Sequence, residues 1–457
     1  MPGLTGDTAH MNTSSRPEQK LSPNVSNELA VFRATRKATI LRRRSYIGSA
    51  LISFNVYGII LSFGPYLDLY YKSIHPRKPD IVQLSSIQAA RLVFAFAAIY
   101  PIGYFYRQKL QRTTIWISTV GAILCQGAVI ESSKWWELIV VSGSQGFFLG
   151  SLATSGILCL ATHYRNNLPL TSMICTNAGF LGAITYTMIS YMCVERPSKW
   201  VNAQYINISL LTPTLVIASL LLKPNPTYAH PQPLRPLPLK RYLTSRTTIC
   251  FTLGYWLIST TLFVWPTTYL LLHSPSHSPS TSPLHLVLAL TATYATAFIS
   301  ASIVTSPYVR RSVGPVNTFV AASLVAAACY LTPAWMPGNM IVLLPSTIIY
   351  GACLGPLVVL GVKVVSVFEG GGGGKEGGEE DRRTMPGFIA GVQTGAGGSA
   401  GLGVMVAAVV VRAWDEGQGG IGFRVLGSGA VVLTVVGCLL LGCARWERGG
   451  RRFRIVI

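Results

Sequence analysis

The chain has 457 residues, of which 50% are hydrophobic and only 12% are charged, against about 25% charged in soluble domains. Its 37 Lys and Arg outnumber 16 Asp and Glu, for a formal charge of +21, yet nucleic-acid binders carry such charge on polar surfaces rather than between long apolar runs. These figures exclude an ordinary soluble enzyme and imply a chain that crosses a membrane many times.

A bilayer core about 30 Å thick needs about 20 apolar residues per helix. After a polar stretch over residues 1–45, read as a disordered tail with no cleavable signal pattern, twelve such runs follow. They fall at residues 46–67, 85–105, 113–130, 137–160, 170–193, 205–222, 248–272, 285–305, 314–331, 340–364, 387–411 and 423–443. The expected fold is all-α, with twelve membrane helices in two six-helix halves, 46–222 and 248–443. The connection 223–247 carries six prolines and reads as an extended linker. The insert 369–383 contains Gly370 to Gly374 and reads as a loop, and residues 444–457 form a basic tail. The nine cysteines stand singly, without CxxC or His at metal spacing, so neither a disulfide framework nor a metal site nor another cofactor is expected. His273 and His277 fall in a Ser/Pro-rich loop, and Asn207 begins an Asn-Ile-Ser sequon beside its span.

If the N-terminus is inside, 28 of the 37 Lys and Arg fall on inner segments, eight on outer ones and one, Arg91, within a span. The positive-inside rule then predicts both termini in the cytoplasm. A multi-pass protein of the plasma membrane, acting as a monomer in the lipid bilayer, is the expected setting.

The two halves carry matching basic turns after their second helices. One runs from Gly103 through Arg107 to Arg112, the other through Arg310 and Arg311 to Gly314. This layout resembles the major facilitator superfamily of secondary transporters. In that family an Asp precedes the turn's Arg, whereas Tyr106 stands here. Gly103, Arg107, Arg310 and Arg311 are the gating residues that the resemblance implies. Over residues 45–222 the chain is similar to fungal monocarboxylate-porter-like members. The matching stretches are Ser62-Phe63-Gly64 with Tyr70-Tyr71, Ser85-Ser86-Ile87-Gln88, and Asn177-Ala-Gly179-Phe-Leu-Gly182. Animal proton-coupled carriers of this kind use a Lys late in helix one and an Asp/Arg pair in helix eight. Pro65 and an uncharged helix eight occupy those places here, so a proton-coupled lactate-type carrier is disfavoured, although a coupling proton is still weighed.

Charge inside a span costs about 2.5–3.5 kcal/mol on insertion scales. Arg91 therefore stands out as a substrate-binding residue, or as one half of an outer ion pair with Asp68; snorkelling to the interface is the competing reading. Asn55, Gln145, Asn177 and Gln393 are the polar residues placed to hydrogen-bond a substrate, or equally to bond neighbouring helices. The glycines of the eleventh span are read as packing or hinge positions, not as a phosphate loop. The expected function is secondary transport of a small organic solute by alternating access, with carboxylated metabolites, efflux and uptake all open. A non-transporting receptor or decayed carrier is the alternative. A membrane enzyme ranks last because no catalytic constellation is visible, and no nucleic-acid partner is expected.

Overall fold

The structure is a computed structural model that describes residues 23–66, 80–107, 110–132, 134–164, 167–194, 200–225, 245–267, 283–335, 340–370, 380–415 and 421–449. Every regular element among the described residues is a helix. The helices are α1 Pro23–Leu61, α2 Ile81–Ala97, α3 Ile99–Arg107, α4 Gln111–Glu131, α5 Trp135–His163, α6 Leu168–Val194, α7 Trp200–Leu221, α8 Arg246–Leu262, α9 Pro283–Thr305, α10 Pro307–Ser312, α11 Pro315–Trp335, α12 Met340–Gly370, α13 Glu380–Asp415 and α14 Ile421–Gly449. Eleven spans among the described residues are long and apolar enough to cross a membrane. The apolar end of α1 with the turn after it supplies the twelfth, as the sequence predicts. α2 and α3 together make the second span, and α10 is the short helix between the eighth and ninth.

One expectation is corrected at the start. Residues 1–45 read as disordered, but α1 begins at Pro23. A proline suits the first helical position, and no Gly or further Pro interrupts the Ala/Leu/Arg-rich stretch before Gly48. Residues 1–41 form one unit and residues 42–457 another; the contacts below belong to the second. The insert is likewise narrower than expected, since α12 runs to Gly370 and α13 starts at Glu380. Residues 371–379, most of the Pro-rich linker, the loop with His273 and His277, and Asp68 lie outside the described residues.

The packing repeats between halves. α2 packs on α5 as α9 packs on α12, and α4 packs on α7 as α11 packs on α14. Small residues make this close approach feasible: a Cβ at Gly150 would overlap the carbonyl of Ala95, and one at Gly182 the carbonyl of Phe54. Apolar side chains such as Leu124, Ile341 and Leu439 are mostly exposed, which in water would be an association hazard and in lipid is the expected outer face.

Adjacent spans alternate direction, which defines two ends. The basic end carries Ser45, His163 and Lys223. There Ser45 Oγ donates to Lys223 O at 2.7 Å, tying α1 to the end of α7. In the second half Arg246 and Thr247 of α8 meet Glu447 of α14 at 3.3 and 2.8 Å. The opposite, far end carries Asp80, Lys134 and Arg412.

Candidate functional site

The halves meet along two pairs of spans, α2 with α13 and α6 with α9. Glycines of α13 make the first contact possible. Gly397 faces Phe96 and Gly401 faces Ala89 and Val93 of α2, while Gly395 and Gly403 face Trp256 and Thr260 of α8. Polar ties cross the seam. Asn177 Nδ2 donates to Ser302 Oγ at 2.8 Å, and Thr394 Oγ1 donates to Phe96 O at 3.2 Å. At the far end, Arg412 of α13 forms an ion pair with Asp80, whose other oxygen caps α2 by accepting from Val82 N at 3.4 Å.

The first helix of each half is broken near its far end. α1 stops at Leu61 and helical geometry resumes over residues 63–66; α8 stops at Leu262 and resumes over residues 264–267. A break leaves backbone carbonyls without helical partners, and within a membrane they must be satisfied by protein. In the first half Arg91 Nη1 donates to Ile59 O at 3.4 Å and Gln88 Nε2 to Ile60 O at 2.8 Å. The third donor comes across the seam, where Tyr294 Oη bonds Leu61 O at 2.5 Å. In the second half Tyr330 and Tyr350 donate to Thr261 O and Leu262 O at 2.5 and 2.7 Å.

Behind the break in α1 lies a narrow polar cleft of about 20 Å³. Arg91, only 5% exposed, forms one wall. Its Nη2 donates to Ser142 Oγ at 3.3 Å and its guanidinium lies 5.0 Å from the Phe63 ring centre. The negative end of the α1 dipole, at Ile59 and its neighbours, supplies part of its counter-charge. Three of its lining residues, Gln126, Gln204 and Asn207, are amides. Gln145 donates to Gln126 and Gln126 to Gln204, both at 2.6 Å, while Asn207 Nδ2 donates to Tyr66 Oη at 2.7 Å. The buried acceptors Gln145 Oε1 and Asn207 Oδ1 make no hydrogen bond.

Of the sequence candidates, Arg91 lines this cleft, Gln145 bonds the lining residue Gln126 from behind, and the others stand apart. Asn55 is engaged wholly within the first half: its amide donates to Leu51 O at 2.8 Å, and its Oδ1 accepts from Tyr186 Oη at 2.8 Å and Thr214 Oγ1 at 3.0 Å. Gln393 donates to Tyr255 Oη at 3.1 Å in the second half. Asn177 bridges the seam. The expected pair of Arg91 with Asp68 lies outside the described residues; among the described residues an ion pair of Asp80 with Arg412 crosses the seam at that end. Gly103 and Arg107 sit in α3 and Arg310 and Arg311 in α10, but the three arginine side chains are outside the described residues. Sequence reading passed over Gln126, Gln204 and Asn207. The signal was present in the first two as amides within apolar spans. Asn207 was weighed only as a sequon, whereas it is 4% exposed and bonded to Tyr66.

A family model described as Major Facilitator Superfamily matches residues 40–369. Among solved structures, a point mutant of the nucleoside transporter NupG superposes with a TM-score of 0.67 at 16% identity, over 88% of this chain and 99% of that one. A second structure of NupG gives 0.64 at 17% identity, over 88% and 98%. No curated protein matches the chain in sequence.

Proposed function

Because the chain belongs to the major facilitator superfamily, we propose that it is a secondary transporter that carries a small organic solute across a membrane by alternating access. The observation that supports this most is the seam. Two six-helix halves join through span pairs that exchange under the repeat, around two broken helices, and their ties toward the far end are a hydrogen bond, a half-exposed ion pair and the packing of α13 glycines on α2. Such contacts can part and re-form as the halves rock, whereas the close-packed backbone contacts inside each half cannot.

The resemblance of residues 45–222 to monocarboxylate-porter-like proteins favours a carboxylated solute. Direction follows the solute's gradient, so efflux of a metabolite and uptake of a nutrient use the same machinery. The charge bias makes the basic end cytoplasmic, with the plasma membrane as the working site and a monomer as the working unit. All sixteen Asp and Glu lie in the tails, between spans or at span ends, so a proton moving with the solute would ride on the solute's own acid group.

Counterflow in proteoliposomes tests the reading. Vesicles preloaded with a carried carboxylate should accumulate trace label transiently, and untargeted comparison of solutes inside and outside cells lacking the protein should identify the native one. Absence of counterflow across a broad panel, with correctly inserted protein, would count against transport.

A further inference from the structure

The first helix is much longer than a membrane requires. α1 has 39 residues, about 58 Å at 1.5 Å per residue, against a hydrocarbon core of about 30 Å. Its apolar run begins only at Tyr46, so the helix continues beyond the span over residues 23–45. That extension is one-sidedly charged. Between Glu28 and Asp68 the sequence holds six cations and no acid.

Five of the six fall in register. Positions 33, 36, 37, 40, 43 and 44 repeat the three- and four-residue spacing of a single helix face, and all but Ile40 are Arg or Lys. Arg36, Lys37, Arg43 and Arg44 are exposed. The sixth cation, Arg42, stands off this row and lies over the Tyr164 ring at 4.1 Å. Among the described residues none of these five side chains meets a carboxylate, whereas Arg246 at the same end pairs with Glu447 at 3.3 Å. Orientation during insertion depends on how many cations flank a span and makes no demand that they share a face. Like charges at these spacings repel and weaken a helix, so the row costs stability unless something anionic covers it.

We propose that this basic row of α1 is a docking surface for the anionic headgroups of the surrounding membrane, fastening the basic end of the first span to its leaflet. The place of the row selects lipid over a soluble polyanion. Arg43 and Arg44 directly precede Tyr46, whose ring lies 6.4 Å from that of Tyr164, and tyrosines of this kind sit at headgroup level. At the same end Tyr308 and Trp446 are 81% and 55% exposed, as interfacial aromatics are. Arg36 and Lys37 lie about 10 Å further along the helix, about one Debye length from that level. An anionic leaflet attracts such cations without having to be recruited from solution. The proposal is independent of what the protein carries and in which direction.

Amide hydrogen exchange of the full chain in nanodiscs tests it, comparing phosphatidylcholine alone with phosphatidylcholine containing phosphatidylserine. Amides of residues 29–44 should exchange about tenfold more slowly in the anionic discs, and those of the span, residues 46–61, alike in both. High salt should remove the difference. The variant Arg36→Gln with Lys37→Gln, Arg43→Gln and Arg44→Gln should abolish it. Should that variant insert poorly, a second one keeps the charge count and moves two cations off the row: Thr35→Arg with Arg36→Thr, and Lys37→Ala with Ala38→Lys. It should retain less than half of the protection. Equal exchange in the two discs, protection that survives high salt, or full protection in either variant would overturn the surface. A soluble acidic peptide or an oligonucleotide that protects the segment in neutral discs as strongly as phosphatidylserine does would overturn its assignment to lipid.

Discussion

At the scale of single residues, the polar atoms inside the spans divide into ties and openings. Asn55 is a tie. It is fully buried, and its one carbonyl oxygen collects hydroxyls from α6 and α7 while its amide returns to its own helix. Replacing it by Leu strands the hydroxyl of Tyr186, since Thr214 keeps the carbonyls of Leu210 and Leu211 as acceptors, and a loss of this kind costs about 1–3 kcal/mol in a buried site, less where lipid-embedded alternatives exist. Tyr186→Phe removes one donor and leaves Asn55 its other two bonds, so it should cost about 1 kcal/mol. Thermal unfolding of the purified protein in detergent should therefore rank the parent above Tyr186→Phe and Tyr186→Phe above Asn55→Leu. Asn207 is an opening, since its amide donates to Tyr66 while its buried Oδ1 accepts no hydrogen bond. In sequence both classes look alike, as isolated polar letters in apolar runs. What separates them is the set of partners on other helices, which spacing along one chain does not carry, and for that reason Gln126 and Gln204 went unnoticed.

At the scale of helices, glycine decides how closely backbones approach. Cβ atoms at Gly150 and Gly355 would overlap the carbonyls of Ala95 and Ala297, whereas Gly442 in α14 has nothing within 4 Å of its Cβ position. Gly150→Leu or Gly355→Leu must push α2 from α5, or α9 from α12, at an overpacking cost of about 1–3 kcal/mol. Gly442→Ala meets no obstacle and should be neutral or stabilising by up to about 1 kcal/mol through helix propensity. Unfolding of the three variants in detergent checks both signs. These contacts were partly legible: the Gly-x-x-x-Gly spacing of Gly146 with Gly150 and of Gly351 with Gly355 is in the sequence. The spans themselves were plain, since length and apolarity fix a membrane helix almost alone. The breaks at Ser62 and Phe263 were not. Neither is marked by a Gly or Pro at the break itself, and both are held by side chains from other spans: Arg91, Gln88 and Tyr294 at the first, Tyr330 and Tyr350 at the second.

At the scale of the whole molecule, the question is what holds the far end closed. Asp80 serves two purposes there: one oxygen caps α2, and the other pairs with Arg412 of the opposite half. Asp80→Asn separates them, because Asn caps a helix as well as Asp does but carries no charge. The Arg412 side chain is 52% exposed, so the pair is worth at most about 1 kcal/mol after screening. Its loss should change the balance between closed and open far ends by no more than about fivefold. A cysteine placed near this seam and titrated with a membrane-impermeant thiol reagent reads that balance. Asp80→Asn and Arg412→Gln should each raise the labelling rate without lowering the unfolding temperature. High salt should raise labelling of the parent but not of the variants, since only the parent has a pair to screen. The exchanged variant, Asp80→Arg with Arg412→Asp, should restore slow labelling while losing the α2 cap. An unchanged rate in all three would mean that the hydrogen bond from Tyr294 to Leu61 and the α13 glycine packing close this end without the ion pair. Labelling of Tyr294→Phe would then be the larger effect.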